Sequence, residues 1–117
     1  MRERQGNILI LTLNRDEARN AMNCQLTLEL RKAMEEFEAD DDLWVAVLGH
    51  TGSCFCAGAD LKEIAAGISA GAQDAYDDND WGFASLTKHV FSKPVIVAID
   101  GKALGGGTEI ALALDLV

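Results

Sequence analysis

The stretch Cys56-Ala57-Gly58-Ala59-Asp60-Leu61-Lys62-Glu63 constrains this chain more than any other. An apolar run leads into it and an amphipathic segment leaves it, so it reads as a small-residue corner between a strand and a helix. Asp60 stands at the N-cap position, and Glu63 follows it at the spacing of a capping box. A second corner of the same kind, Gly105-Gly106-Gly107-Thr108-Glu109, comes later. A glycine-rich turn into a helix leaves N–H groups without intrahelical partners, at the positive end of the helix dipole. Only small side chains let a ligand touch such a backbone. Ala57, Gly58, Ala59 and Gly105 to Gly107 meet that condition. The two corners are expected to face each other, so that two donors converge on one anionic oxygen.

The totals bound what surrounds these corners. A length of 117 residues suits one small domain. At 49% hydrophobic and 25% charged, the chain reads as globular and not disordered. No stretch is apolar for long enough to span a bilayer, and Met1 to Gln5 lacks the apolar core of a signal peptide. No membrane partner is therefore expected, and the expected location is cytoplasmic. The cysteines, Cys24, Cys54 and Cys56, are odd in number, which fits a reducing compartment and not a disulfide framework. A formal charge of −9 argues against nucleic acid as a partner. The acids at Asp40 to Asp42 and Asp74 to Asp80 read as solvated surface. The chain ends on the apolar run Ile110 to Val117, where a polar terminus is usual, so it is expected to be part of a longer domain.

In chain order, residues 1–5 and Asn7 to Leu13 read as two strands joined at Gly6. The nearly continuous apolar run Ile8 to Leu13 predicts a strand buried on both faces. Asn14 to Asn20 is a polar loop, and Asn23 caps a helix to about Ala39 with Leu26, Leu30, Ala33, Met34 and Phe37 on one face. Trp44 to Leu48 is a strand stopped by Gly49. Strand, helix, strand in that order predicts α/β organisation with a crossover. Residues 65–80 read as mobile or helical only in part. Trp81 to Phe91 fits a helix with Phe83, Leu86 and Val90 on one face. Pro94 opens a strand over Val95 to Ile99, Asp100 to Lys102 is a turn, and the last helix, apolar almost all round, is expected to be buried.

Several chemistries compete for these residues. His50, Cys54 and Cys56 lie close in sequence, but a structural zinc site needs a fourth ligand and C-x-C is a poor match, so no metal is expected. A cysteine nucleophile with His50 or His89 as base has no local signature, and inert buried cysteine is the simpler reading. Gly101-Lys102-Ala103-Leu104-Gly105-Gly106-Gly107 follows a strand and opens a helix, so it could cradle a dinucleotide pyrophosphate as in a nicotinamide-dependent oxidoreductase. Glu109 could take or give a proton beside a polarised carbonyl, or could be a first-turn acid favoured by the helix dipole.

The motifs resemble the crotonase, or enoyl-CoA hydratase/isomerase, superfamily along the whole chain. Leu13-Asn14-Arg15 with Glu17-Ala18-Arg19-Asn20-Ala21 resembles its first loop, and Phe55 to Glu63 its first oxyanion segment. Lys93 to Ala98 and Gly101 to Glu109 resemble its second. The resemblance implies an α/β fold, a crotonase-like spiral of repeated β-β-α units incomplete at the C-terminus. Residues 1–117 would then be the N-terminal portion of a single domain, from a protein assembled as homotrimers or hexamers and acting in fatty-acid metabolism. It implies an acyl-CoA thioester substrate and no separate cofactor, since coenzyme A belongs to the substrate. By family pattern the backbone N–H groups of Ala59 and Gly106 are the oxyanion donors. Ala57, Ala59, Asp60, Leu61, Lys62, Gly105 and Gly106 line the substrate path, and Ala18 lies near the coenzyme A moiety. Glu109 matches the first of two catalytic glutamates in hydratases. Isomerases of the family commonly lack an acid there, so the implied reaction is hydration of a 2-enoyl-CoA. Isomerisation, decarboxylation, thioester hydrolysis and dehalogenation on the same scaffold are the alternatives. Asp16 stands where the family usually has proline, and Asp100 where asparagine is common, with no expected effect on the chemistry. Family domains are considerably longer, and the second glutamate falls beyond Val117, so the isolated piece is expected to be inactive and prone to associate.

Overall fold

A computed structural model describes residues 1–65 and 81–117; the readings made for residues 65–80, Ala65 excepted, lie outside the described residues. The elements fall into three β-β-α units: β1 (Arg2–Gln5), β2 (Ile8–Leu13) and α1 (Cys24–Ala39); β3 (Val45–His50), β4 (Cys54–Cys56) and α2 (Leu61–Ala65); β5 (Val95–Val97), β6 (Lys102–Ala103) and α3 (Gly106–Ala113). The repeat that the family resemblance implies is thus present. Both strands of the first unit and the first strands of the other two build a four-stranded sheet of order β1-β2-β3-β5, and β4 and β6 form a second sheet.

Gly6, at φ +59°, turns β1 into β2, which pair antiparallel from Arg2 opposite Leu11 to Gln5 opposite Ile8. β2 and β3 then run parallel, and β3 and β5 likewise. β2 is not buried on both faces. Leu9, Leu11 and Leu13 are buried, whereas Ile8 is exposed and Ile10 and Thr12 are only partly covered. The inner three pack with Leu30, Ala33, Met34 and Phe37 of α1 in one core, so helical cover reaches one face of the strand. Gly49 does not stop β3, because Gly49 and His50 continue the parallel ladder opposite Thr12 and Leu13.

The Asn23 side chain caps α1 by accepting from the Leu26 N–H at 2.8 Å. At the other end Lys93 Nζ donates to the carbonyls of Phe37 at 2.7 Å and Asp40 at 2.6 Å. That cation adds a partner to carbonyls that also accept the N–H groups of Asp40 and Leu43, and it complements the helix dipole. It also fixes the approach to Pro94 and β5.

Two further expectations fail. The segment from Trp81 to Phe91 is not a helix; it holds only a 3-10 turn at Phe83–Ser85, and Val90 is exposed. Gly82, Ala84 and Ser85 have φ of +83°, +57° and +60°, which a right-handed helix cannot contain. Packing supports this backbone: Ala84, Ser85 and Leu86 are buried, and Ser85 Oγ donates to the Thr27 carbonyl of α1. Helix α3 forms, but only Gly107, Ile110 and Ala111 of it are buried, while Leu112 is 80% exposed. Its apolar surface meets β4 and the 83–85 turn along one side only, so apolar composition did not translate into burial all round.

Phe37 is fully buried between α1 and the sheet. Phe37→Ala is expected to cost about 3–5 kcal/mol of stability through lost burial and a cavity. Denaturant unfolding followed by circular dichroism measures it.

Candidate functional site

β4 and β6 pair parallel, Cys54 with Lys102 and Cys56 with Ala103, across a bulge. Parallel strands leave a sheet at the same end, so the corner after each strand emerges beside the other. The contact is direct: a Cβ placed on Gly58 would lie 3.2 Å from the Gly106 nitrogen and 3.4 Å from the Leu104 carbonyl oxygen. Leu104 N–H donates to the Cys56 carbonyl at 3.0 Å, and a Cβ on Gly107 would run into that same carbonyl. Glycine at 107 is therefore required for the corners to close on each other. The expectation that the two corners adjoin holds.

The first corner is held from outside. Met22 N–H donates to the Gly58 carbonyl at 2.7 Å, and Asp60 N–H donates to the Met22 carbonyl at 2.9 Å. This is an isolated parallel bridge between Met22 and Ala59. In a parallel pairing one residue bonds the two neighbours of its partner, so the partner's own N–H faces the other way. Ala59 N–H is thereby turned from the first loop, and it donates to no acceptor among the described residues. Gly106 is the first residue of α3. The N–H groups of Gly107, Thr108 and Glu109 bond back to Leu104 and Gly105, while that of Gly106 has no acceptor among the described residues. Gly105 reaches the required turn at φ +50°, a left-handed conformation that glycine adopts at little cost.

Asp60 does what the sequence suggested, since its Oδ1 accepts from the N–H groups of Lys62 at 3.0 Å and Glu63 at 3.2 Å. Glu63 does not complete the capping box. The Asp60 N–H is already taken by Met22, and the Glu63 carboxylate instead accepts from Cys24 N–H in the first turn of α1. Burial alone would raise the Asp60 carboxyl. The Arg15 guanidinium, 2.8 Å from Oδ2, and the amides of Glu63 and Lys62 outweigh it and hold the carboxyl below the usual aspartate range.

Of the remaining expected residues, Ala18 sits in the 3-10 turn Asp16–Ala18 of the first loop. That loop reaches the corner where Ala57 N–H donates to the Arg19 carbonyl at 3.1 Å. Leu61 and Lys62 are exposed at the start of α2. Glu109 is exposed on the first turn of α3, one turn beyond Gly106.

The rival side chains are occupied in other ways. His50 Nε2 accepts from Asp100 N–H at 2.9 Å and Nδ1 lies 3.1 Å from the Thr51 carbonyl, which assigns the proton to Nδ1. His89 Nε2 lies 3.0 Å from a Glu38 oxygen, and its ring stacks on Trp81 at 3.7 Å. Burial pushes the Cys56 thiol up, and its Sγ accepts from Gly58 N–H at 3.4 Å. No cluster of metal-binding side chains occurs among the described residues. No described helix is long and apolar enough to cross a membrane.

Sequence reasoning missed Arg15, Asn20, Met22 and Phe83. Asn20 is fully buried at φ +55°, accepts from Arg15 N–H, and donates to the carbonyls of Thr51 and Cys54 at 3.0 and 2.8 Å. Phe83 lies under the second corner, where a Cβ on Gly106 would run into its ring. No periodicity in the sequence marks Arg15, Asn20 or Met22, and the helical spacing that includes Phe83 points to a helix that does not form.

The β-β-α repeat with two abutting glycine corners defines an α/β protein of the crotonase fold. Solved structures agree: EchA1_1 from Mycobacterium paratuberculosis superposes with a TM-score of 0.88 at 46% identity, over 100% of this chain and 44% of that one. Carnitinyl-CoA hydratase from Mycobacterium avium gives 0.88 at 42% identity, again over 100% of this chain and 44% of that one. Residues 3–117 match the Enoyl-CoA hydratase/isomerase family, and the chain belongs to that family. Among curated relatives, mevalonyl-coenzyme A hydratase of Beauveria bassiana is 42% identical over 97% of this chain. The chain spans 42% of that relative's length.

The Asp60 pairing predicts an acid dependence. A carboxyl depressed in the folded state adds stability above its unfolded pKa and loses it as pH falls through the folded pKa, because the unfolded chain binds the proton first. Asp60→Asn is therefore expected to flatten the decline in unfolding free energy below about pH 5. Urea titrations of both proteins across that range measure the difference.

Proposed function

We propose that the N–H groups of Ala59 and Gly106 form an oxyanion hole for the thioester carbonyl of a 2-enoyl-CoA, and that the full-length protein hydrates that substrate. The observation that carries this reading is the pair of unengaged amides on two abutting corners, at the ends of parallel strands. Both donors are backbone groups that face outward before any charge develops on the oxygen, and one such donor is worth about 3–4 kcal/mol in the transition state. Water adds at carbon 3 as a carboxylate takes one of its protons, the electron pair of the double bond moves toward the thioester oxygen, and the resulting enolate takes a proton back from an acid at carbon 2. Glu109, on the first turn beyond Gly106, is the acid or base that this chain supplies. The first loop at Ala18, with the exposed start of α2 at Leu61 and Lys62, receives the coenzyme A moiety, and Ala57 and Gly105 leave room for the thioester. The names of two of the relatives quoted above support the reaction class, since mevalonyl-coenzyme A hydratase and carnitinyl-CoA hydratase are named as hydratases of CoA thioesters.

The nicotinamide alternative asks Gly101 to Gly107 to cradle a pyrophosphate. A Cβ on Gly101 would strike the Ser53 carbonyl, one on Gly106 the Phe83 ring, and one on Gly107 the Cys56 carbonyl. These glycines make room for the protein's own atoms, which favours the thioester reading.

In the full-length protein Glu109→Gln is expected to lower turnover of a 2-enoyl-CoA about 100-fold or more, with KM within a few-fold of the parent. Steady-state kinetics over a panel of enoyl-CoA esters checks this, and near-normal turnover would remove Glu109 from the mechanism. Calorimetry with NAD and with an acyl-CoA separates the two ligand classes; tight NAD binding with none for the thioester would overturn the proposal.

A further inference from the structure

The bridge that aims Ala59 is short. It consists of two backbone hydrogen bonds between Met22 and the residues flanking Ala59, with no continuing ladder on either side. One side chain spans it. Arg15 Nη1 donates to the carbonyl of Ala21, next to Met22, at 2.8 Å. Arg15 Nη2 lies 2.8 Å from Oδ2 of Asp60, next to Ala59. The arginine is itself held, because its backbone N–H donates to the buried Asn20 side chain at 2.7 Å. The Asp60 carboxylate is held too, since its other oxygen caps α2.

We propose that Arg15 is a positioning residue: its guanidinium straps the two strands of the Met22–Ala59 bridge together and so fixes the direction of the Ala59 N–H. This rests on the oxyanion-hole reading above. A hydrogen bond weakens steeply as its angle closes, and catalytic donors must be held within about 0.5 Å and 10–20°. Two bonds with nothing beyond them leave a peptide free to tilt. The other ties act elsewhere: Glu63 holds α2 to Cys24, and Ala57 N–H holds the start of the corner to Arg19. On the Asp60 side of Ala59, the guanidinium completes the hold. Only a planar fork reaches both acceptors at once, so lysine, with one nitrogen, keeps the charge but not the span.

The test uses Arg15→Ala, Arg15→Lys and Asp60→Asn in the full-length protein. The probe is a bound 2,4-dienoyl-CoA, whose absorbance shifts to the red when its thioester carbonyl is polarised. Arg15→Ala is expected to lower kcat about 10–100-fold while KM stays within about threefold, and to shrink the red shift. Asp60→Asn should do the same, Arg15→Lys should recover only part, and the double variant should be no worse than Arg15→Ala alone. Should Arg15→Ala fail to fold, Arg15→Lys and Asp60→Asn carry the test. Folded variants with the parent's kcat and red shift would overturn the proposal, as would a loss confined to KM with the shift unchanged. A parent protein that shows no red shift with the thioester would sink the oxyanion-hole reading itself, a result distinct from failure of the strap.

Discussion

The site depends on one constraint, the parallel pairing of two very short strands. β3 and β5 lie side by side and parallel in the main sheet, from Ala46 opposite Val95 to Leu48 opposite Val97. Each chain then crosses to the second sheet, so β4 and β6 inherit the same direction and neighbourhood. Two consecutive β-β-α units therefore deliver two helix starts to one place. Three backbone atoms set how close they come: the carbonyls of Ser53 and Cys56 fill the space a side chain would need at Gly101 and Gly107, and the Gly106 nitrogen sits against Gly58. Enlarging Gly101 or Gly107 would force the second corner off the first.

The charge balance of the chain looks unsuited to an anionic oxygen, at −9 overall. In the proposed hole backbone amides would resolve the conflict, since such donors act over hydrogen-bond distance and do not require a basic surface. The acid nearest the hole in sequence, Asp60, is neutralised locally by Arg15 and by two amides. The buried polar groups of the region follow the same economy. Among the described residues no buried side-chain nitrogen or oxygen lacks a partner, and Asn20 alone ties the first loop to the loop before β4 and to Cys54. A buried polar network of this kind specifies one arrangement because any other leaves groups unsatisfied.

Much of this was legible from local pattern. Helix α1 was marked by its cap and apolar spacing, the hairpin by Gly6, and both corners by small residues before a helix start. What was not legible depends on tertiary contact. The segment from Trp81 has helical spacing, yet docking on α1 holds Ala84 and Ser85 in a left-handed conformation that neither residue type signals. Gly49 reads as a stop, yet a parallel neighbour carries the strand past it. The Met22–Ala59 bridge and the Arg15–Asp60 pair join residues 37 and 45 positions apart, by subtraction of their numbers, through an irregular loop with no period to betray it. Glu63 shows the limit most clearly: its spacing from Asp60 signals a capping box, and its carboxylate goes to another helix because the expected donor was already taken.

A hole built from backbone places few demands on the side chains around it. In the proposed hole Ala59 and Gly106 contribute only their amides, and at 106 the Phe83 ring leaves no room for a side chain. Such a pair of corners can polarise a carbonyl without deciding what happens next to it. On the proposed reading that decision falls to acids and bases beside the hole, and the acid this chain offers there is Glu109, in the first turn of α3. In the proposed function the corners thus bear on the substrate class, a thioester whose oxygen gathers charge, whereas Glu109 bears on the reaction. A proton donor beside carbon 2 or an activated water beside carbon 3 would each call for a carboxylate near the proposed hole. A pyrophosphate cradle would need none, because a carboxylate beside phosphate groups is repelled.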